Sequence, residues 1–207
     1  MPLIKKICNS RNKDVVSIWE ITETIENLFV GLHLSSHHLT NFNEIKLDSK
    51  KKEFLVIRKL LNINGLIHTS LCYNSNGKPF LNNGPMISIS HANKYVVIAV
   101  SYTSNIGIDI ELEKKKILKG EKYFSNIDVS LDVDLPDEVI KKLTKIWCAK
   151  EAVFKVINFK AVSYKNDIII KEFNVNSKET FAVFRKEKFN IQFDYINNYQ
   201  IAVAKKI

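Results

Sequence analysis

The sequence predicts an α+β fold made of two similar halves with antiparallel sheets, related by a pseudo-two-fold. Three observations carry this. Each half has one long helix ahead of some of its strands, at Ser49–Asn62 and Asp137–Ile157. Near the C-terminus Phe189, Ile191, Phe193 and Tyr195 alternate with polar residues, as a half-buried antiparallel strand does. The triplet Ile98-Ala99-Val100 recurs as Ile201-Ala202-Val203, each ending an apolar strand. Together they place an N-terminal half at 1–104 and a C-terminal half at 105–207.

In chain order, Val15–Ile21 alternates enough to be a strand, with Trp19 in the core. Thr22 is placed to cap a short helix through about Val30, with Glu23 and Glu26 near its positive end. His33–Asn43 reads as a polar loop; its three histidines, His33, His37 and His38, lack the Cys or carboxylate company of a metal site. Ser49–Asn62 reads as a helix with Ser49 as cap and Phe54, Leu55, Ile57, Leu60 and Leu61 as its apolar surface. Its basic residues Lys51, Lys52, Arg58 and Lys59 share one stripe, which fits a solvated face as well as an anion-binding one.

Asn74–Lys78 is turn chemistry and Pro79 fixes the exit; Asn82–Pro85 is a second turn. Met86–His91, Tyr95–Ser101 and Ile106–Leu112 read as strands. Lys114–Lys116 reads as a solvated loop. The strongest helix follows, with Asp134 as cap, Pro136 in the first turn and Asp137 and Glu138 matching the dipole. Val139, Leu143, Ile146 and Val153 form its apolar stripe, and Trp147 reads as a packing residue. The last quarter is β, with strands around Ile168–Ile170, Phe181–Phe184, Phe189–Tyr195 and Tyr199–Ala204.

At 207 residues the chain is long enough to bury a sizeable core. Its 45% hydrophobic and 26% charged residues suit a globular protein, and no apolar run approaches the roughly 18 residues that span a bilayer. No apolar signal segment follows Met1–Lys6, and three cysteines without metal-site spacing suit a reducing compartment, so a cytoplasmic location is expected. The net charge of +9 predicts an anionic partner. With no arginine-rich arm, nucleic acid is the weaker choice.

The chemistry concentrates in two stretches. In Gly107-Ile108-Asp109-Ile110-Glu111-Leu112-Glu113 the apolar residues point one way and the carboxylates the other. Carboxylates sharing a face repel unless a cation or solvent relieves them, and hard oxygen ligands suit Mg²⁺. An acidic strand face turned to solvent fits the same pattern. In Trp147–Lys155 (W-C-A-K-E-A-V-F-K), Glu151 and Lys155 stand four apart on one helix face. Alone they fit a surface ion pair worth a few tenths of a kcal/mol, about 0.3. With Lys78, His91 and Arg58 they form the equipment of a phosphoryl-type transfer: a metal on a pyrophosphate, cations on developing charge, and a carboxylate to take a hydroxyl proton.

G-I-D-I-E at 107–111 and W-C-A-K-E-A-V-F-K at 147–155 resemble the two signature motifs of the 4′-phosphopantetheinyl transferase superfamily. G-K-P at 77–79, I-S-H at 89–91 and K-Y-F-S at 122–125 are similar to further family segments, in the same order. Length and the two-half pattern resemble the monomeric, Sfp-like branch rather than the short trimeric holo-(acyl-carrier-protein) synthases. The resemblance implies an active site between the halves, where Asp109, Glu111 and Glu151 hold Mg²⁺ (or Mn²⁺). It implies coenzyme A as co-substrate, with Lys155, His91 and Ser90 at its phosphates, Lys78 and Pro79 at the nucleotide end, and Arg58 and Lys51 near the 3′-phosphate. The reaction it implies is attack of a carrier-protein serine on the β-phosphorus of coenzyme A, with Glu151 as base and Lys155 stabilising charge. An acidic acyl- or peptidyl-carrier protein is the implied partner, with neither nucleic acid nor membrane. The chain departs from the family pattern in V-I-N-F-K at 156–160, which lacks glycine, and at Ala92, where the family often has Ser. A weakly catalytic coenzyme A-binding module is the second reading, and a basic RNA-binding domain the third.

Overall fold

The computed structural model describes residues 3–9, 14–127, 136–159 and 161–207. They form two compact units, Met1–Thr103 and Ser104–Ile207. Both mix helices with antiparallel sheets, the α+β class expected from sequence.

The first unit runs β1 (Leu3–Asn9), β2 (Asp14–Glu20), α1 (Ile25–Phe29), α2 (Ser36–Glu44), α3 (Asp48–Ile63), a 3₁₀ turn (His68–Ser70), β3 (Leu71–Tyr73), β4 (Pro79–Leu81), β5 (Met86–Ala92) and β6 (Tyr95–Ser101). Four strands form one sheet in the order β1-β2-β6-β5, and β3 and β4 form a separate hairpin. Helix α3 buries Leu55, Val56, Leu60 and Leu61 against Trp19, Ile87, Val96, Ile98 and Val100. The hairpin turn is fixed by Asn74, whose side-chain oxygen accepts from the backbone N–H of Asn76 and of Lys78. Gly77 follows at φ +76°, a left-handed conformation that favours glycine.

Three expectations in this unit are corrected. The segment expected as a histidine loop is helix α2. Ser35 accepts from the backbone N–H of His38, and His38 and Phe42, four apart, are both buried. The Phe42 ring then packs on Phe29 and Phe54 at 5.5 and 5.6 Å. Polarity hid a two-residue apolar stripe. Thr24, not Thr22, caps α1 by accepting from Asn27. Helix α3 starts at Asp48 without a side-chain cap, so Ser49 lies inside it. Strand β1 also lacked a sequence signal, because Lys5 and Lys6 interrupt its apolar residues.

The second unit runs β7 (Ile106–Leu112), α4 (Ile117–Phe124), α5 (Pro136–Ile157), β8 (Ile168–Ile170), β9 (Glu179–Phe184), β10 (Glu187–Ile196) and β11 (Tyr199–Lys206). Its five strands lie antiparallel in the order β7-β11-β10-β9-β8. Helix α5 lies on this sheet, and its stripe of Leu143, Ile146, Ala149, Ala152 and Val153 shares a core with Phe189, Ile191, Ala202 and Ala204. The repeated triplets occupy β6 and β11, each an interior strand of its sheet. Helix α4 was not foreseen: Gly120 and three lysines in and beside it blur its period, and Phe124 is its buried residue. The expected cap Asp134 lies outside the described residues.

Gly107 sets how closely α5 and β7 approach. A Cβ there would stand 2.0 Å from the carbonyl oxygen of Ala152. The odd-numbered face of β7 is therefore the one against α5, and Asp109 and Glu111 follow Gly107 on it. Ile106, Ile108 and Ile110 are buried on the opposite face. Among the described residues no helix is long and apolar enough to cross a membrane.

Candidate active site

Because β7 and α5 are held together at Gly107, the two signature stretches meet inside the second unit. Asp109 is 4% exposed. Lys155, two helical turns beyond Trp147, donates to Asp109 Oδ1 at 2.8 Å and to the carbonyl oxygen of Ile108 at 2.9 Å. The Lys155 ion pair is thus with the strand carboxylate, and the surface pair with Glu151 that spacing also allowed is not what forms.

Glu111 and Glu151 complete an acidic group. Burial raises the pKa of Glu111, and the Asp109 charge raises it further against the opposing effect of the Trp147 hydrogen bond. Burial is also the main cause for Glu151, with Asp109 second; the carboxyl is pushed up to about 6 although the Tyr164 hydroxyl and Lys155 oppose the shift. Three half-buried or buried carboxylates acting on one another with one ammonium among them are short of positive charge.

That donor set fits a divalent cation, since hard carboxylate oxygens are what Mg²⁺ and Mn²⁺ take. Among the described residues, however, no three His, Cys, Asp or Glu side chains stand close enough to form a finished metal cage. Lys155 supplies the counter-charge to Asp109.

Trp147 packs against the core, as expected, and also makes a polar contact. Its indole N–H donates to Glu111 Oε1 at 3.1 Å, and its ring stacks on Tyr164 at 5.1 Å and 26°. Sequence reasoning missed Tyr164 altogether, since a loop tyrosine carries no periodic signal. Beside these groups lies a cavity of about 670 Å³ lined mainly by apolar surface, including Leu112, Ile117, Phe124, Trp147 and Tyr164, with Glu111 at its wall. This too was beyond the sequence, because α4 supplies part of the wall.

The remaining candidates lie in the first unit. Arg58 is 2% exposed, sits 3.2 Å over the Phe54 ring and donates to the Phe54 carbonyl at 3.0 Å. Burial lowers its pKa to about 10, and its Nε has no hydrogen-bond partner among the described residues. The basic stripe therefore splits: Arg58 is internal, whereas Lys51, Lys52 and Lys59 stay partly solvated. Lys51 lies 5.4 Å from the Phe42 ring centroid. Lys78 is half-buried at the hairpin turn and burial lowers its pKa; Pro79 begins β4. On β5, Ser90 is buried, and His91 is exposed with Nε2 3.5 Å from Glu53 Oε2, which also takes Lys50 at 2.8 Å.

Residues 105–204 match the family model of the 4′-phosphopantetheinyl transferase superfamily. The chain is 30% identical to the 4′-phosphopantetheinyl transferase HetI of Nostoc sp. over 59% of its own length and 58% of that protein. It is 26% identical to the 4′-phosphopantetheinyl transferase gsp of Aneurinibacillus migulanus over 65% of its own length and 56% of that protein. The aligned part thus spans little more than half of either relative.

Proposed function

We propose, from the match of residues 105–204 to the 4′-phosphopantetheinyl transferase superfamily, that the protein transfers the 4′-phosphopantetheine arm of coenzyme A to a serine of an acyl- or peptidyl-carrier protein. The observation that carries the proposal is the acidic group of buried Asp109 and half-buried Glu111 and Glu151, with Lys155 on Asp109, built by the two signature stretches. The serine oxygen attacks the β-phosphorus, the bond to the bridging oxygen of the pyrophosphate breaks, and 3′,5′-ADP leaves.

Asp109, Glu111 and Glu151 would hold Mg²⁺ or Mn²⁺, which supplies neutralisation of pyrophosphate charge. Glu151, half-buried on α5 among the strand carboxylates, is suited to accept the serine proton. Lys155 is the cation nearest this group, anchored at both Asp109 and the Ile108 carbonyl, and it would stabilise charge on the phosphates. In the first unit Arg58, Lys51, Lys78 with Pro79, Ser90 and His91 are assigned to coenzyme A. Arg58 favours this because its buried Nε, with no hydrogen-bond partner among the described residues, is a donor left for a phosphate. The protein would act as a cytoplasmic monomer on an acidic carrier.

Release of 3′,5′-ADP from coenzyme A in the presence of Mg²⁺ and an apo carrier protein tests the assignment. The Glu151→Gln variant should fold normally and release it at least about 100-fold more slowly, the lower range of a lost general base. Release at the wild-type rate would remove Glu151 from the chemistry. Tight coenzyme A binding by the wild type with no release would favour the binding-module reading instead.

A further inference from the structure

Glu111 has three rotatable side-chain bonds and is only half-buried, so something must select its orientation. The group that does so is rigid. Trp147 donates its one N–H to Glu111 Oε1 at 3.1 Å. Its ring is held between Tyr164, stacked at 5.1 Å, and Phe124, edge-on at 5.3 Å. Tyr164 in turn is pinned through its backbone. Lys150, fully buried, donates to the Tyr164 carbonyl at 2.7 Å, to Asn126 Oδ1 at 2.8 Å and to the Ile168 carbonyl. A continuous chain of contacts therefore runs from a buried ammonium through a loop and a ring stack to a carboxylate.

We propose that Trp147 is a positioning residue: held by Tyr164, which Lys150 anchors, its indole N–H orients the Glu111 carboxylate toward the cation that the acidic group takes. The inference rests on the transferase reading of that group. Its physical basis is that a ligating carboxylate is usually oriented by a hydrogen bond to its second oxygen, and loss of such a partner weakens metal binding. An indole N–H suits the role because it donates only and cannot compete for the cation.

The test is Mn²⁺ affinity, read by electron paramagnetic resonance with coenzyme A present and no carrier, so that no turnover occurs. Trp147→Phe keeps an aromatic ring and removes the donor. It should weaken Mn²⁺ binding about 10–100-fold while leaving coenzyme A affinity in EDTA unchanged. Glu111→Gln should weaken Mn²⁺ binding too, and adding Trp147→Phe to it should cost nothing more. Mn²⁺ affinity within twofold of wild type in Trp147→Phe, or losses that simply add in the double variant, would overturn the proposal. A second readout does not depend on that variant folding. The chain has two tryptophans, so its indole N–H spectrum has two resonances, assignable with Trp19→Phe. Glu111→Gln should shift the Trp147 resonance; no shift would overturn the link. A wild-type protein that binds neither coenzyme A nor Mn²⁺ would sink the transferase reading, and the resonance would still decide the Trp147–Glu111 link.

Discussion

Arg58 sits 2% exposed on helix α3 with its guanidinium over Phe54 and, among the described residues, no carboxylate paired with it. Burying a charge is costly unless it is matched, so an unmatched one needs a reason. If the reason is the 3′-phosphate of coenzyme A, Arg58→Ala should weaken coenzyme A binding about 10-fold or more, the loss of one or two hydrogen bonds to a charged group. Dephospho-coenzyme A, which lacks that phosphate, should bind wild type and variant alike. Calorimetry with both ligands decides; equal weakening of both would place Arg58 elsewhere. At this scale the sequence marked Asp109, Glu111, Glu151 and Lys155 through alternation and i, i+4 spacing. It could not choose among the partners of Lys155, because that depends on how far α5 is from β7. For the same reason Trp147 read as packing: its hydrogen-bond acceptor is 36 residues away.

The closeness of α5 and β7 is a property of Gly107 together with Ala152, Ala202 and Ala204, all buried small residues on the facing surfaces. A methyl group at 107 has no room against the Ala152 carbonyl. Gly107→Ala should therefore destabilise the protein by about 1–3 kcal/mol, the usual cost of overpacking, and displace Lys155 from Asp109. A lower melting temperature together with a larger fractional loss of transfer than of secondary structure would agree; unchanged melting would mean that the helix moves aside at no cost. Elements with strong apolar content, α3, α5, β5, β6, β7 and β10, were legible in the sequence. Helices α2 and α4 were not, since each buries only one or two side chains and gains its place from tertiary contacts rather than from a pronounced stripe.

Across the whole chain the +9 net charge is an electrostatic property that no single residue carries. If the partner is an acidic carrier protein, long-range attraction should speed encounter, and salt should screen it. Raising ionic strength from about 0.05 to 0.3 M should lower kcat/KM for the carrier several-fold while changing kcat little. A salt-independent kcat/KM would argue that charge plays no part in carrier capture. Each of the two units carries one long helix, α3 or α5, ahead of some of its strands, and each has an antiparallel sheet. The most direct measurement is the intact mass of an apo carrier protein after incubation with this protein, coenzyme A and Mg²⁺. A gain equal to one phosphopantetheine group, located on a serine and absent when Glu151→Gln replaces the wild type, is the predicted result. Carriers of the fatty-acid, polyketide and peptide-synthetase types that all keep their apo mass would contradict it.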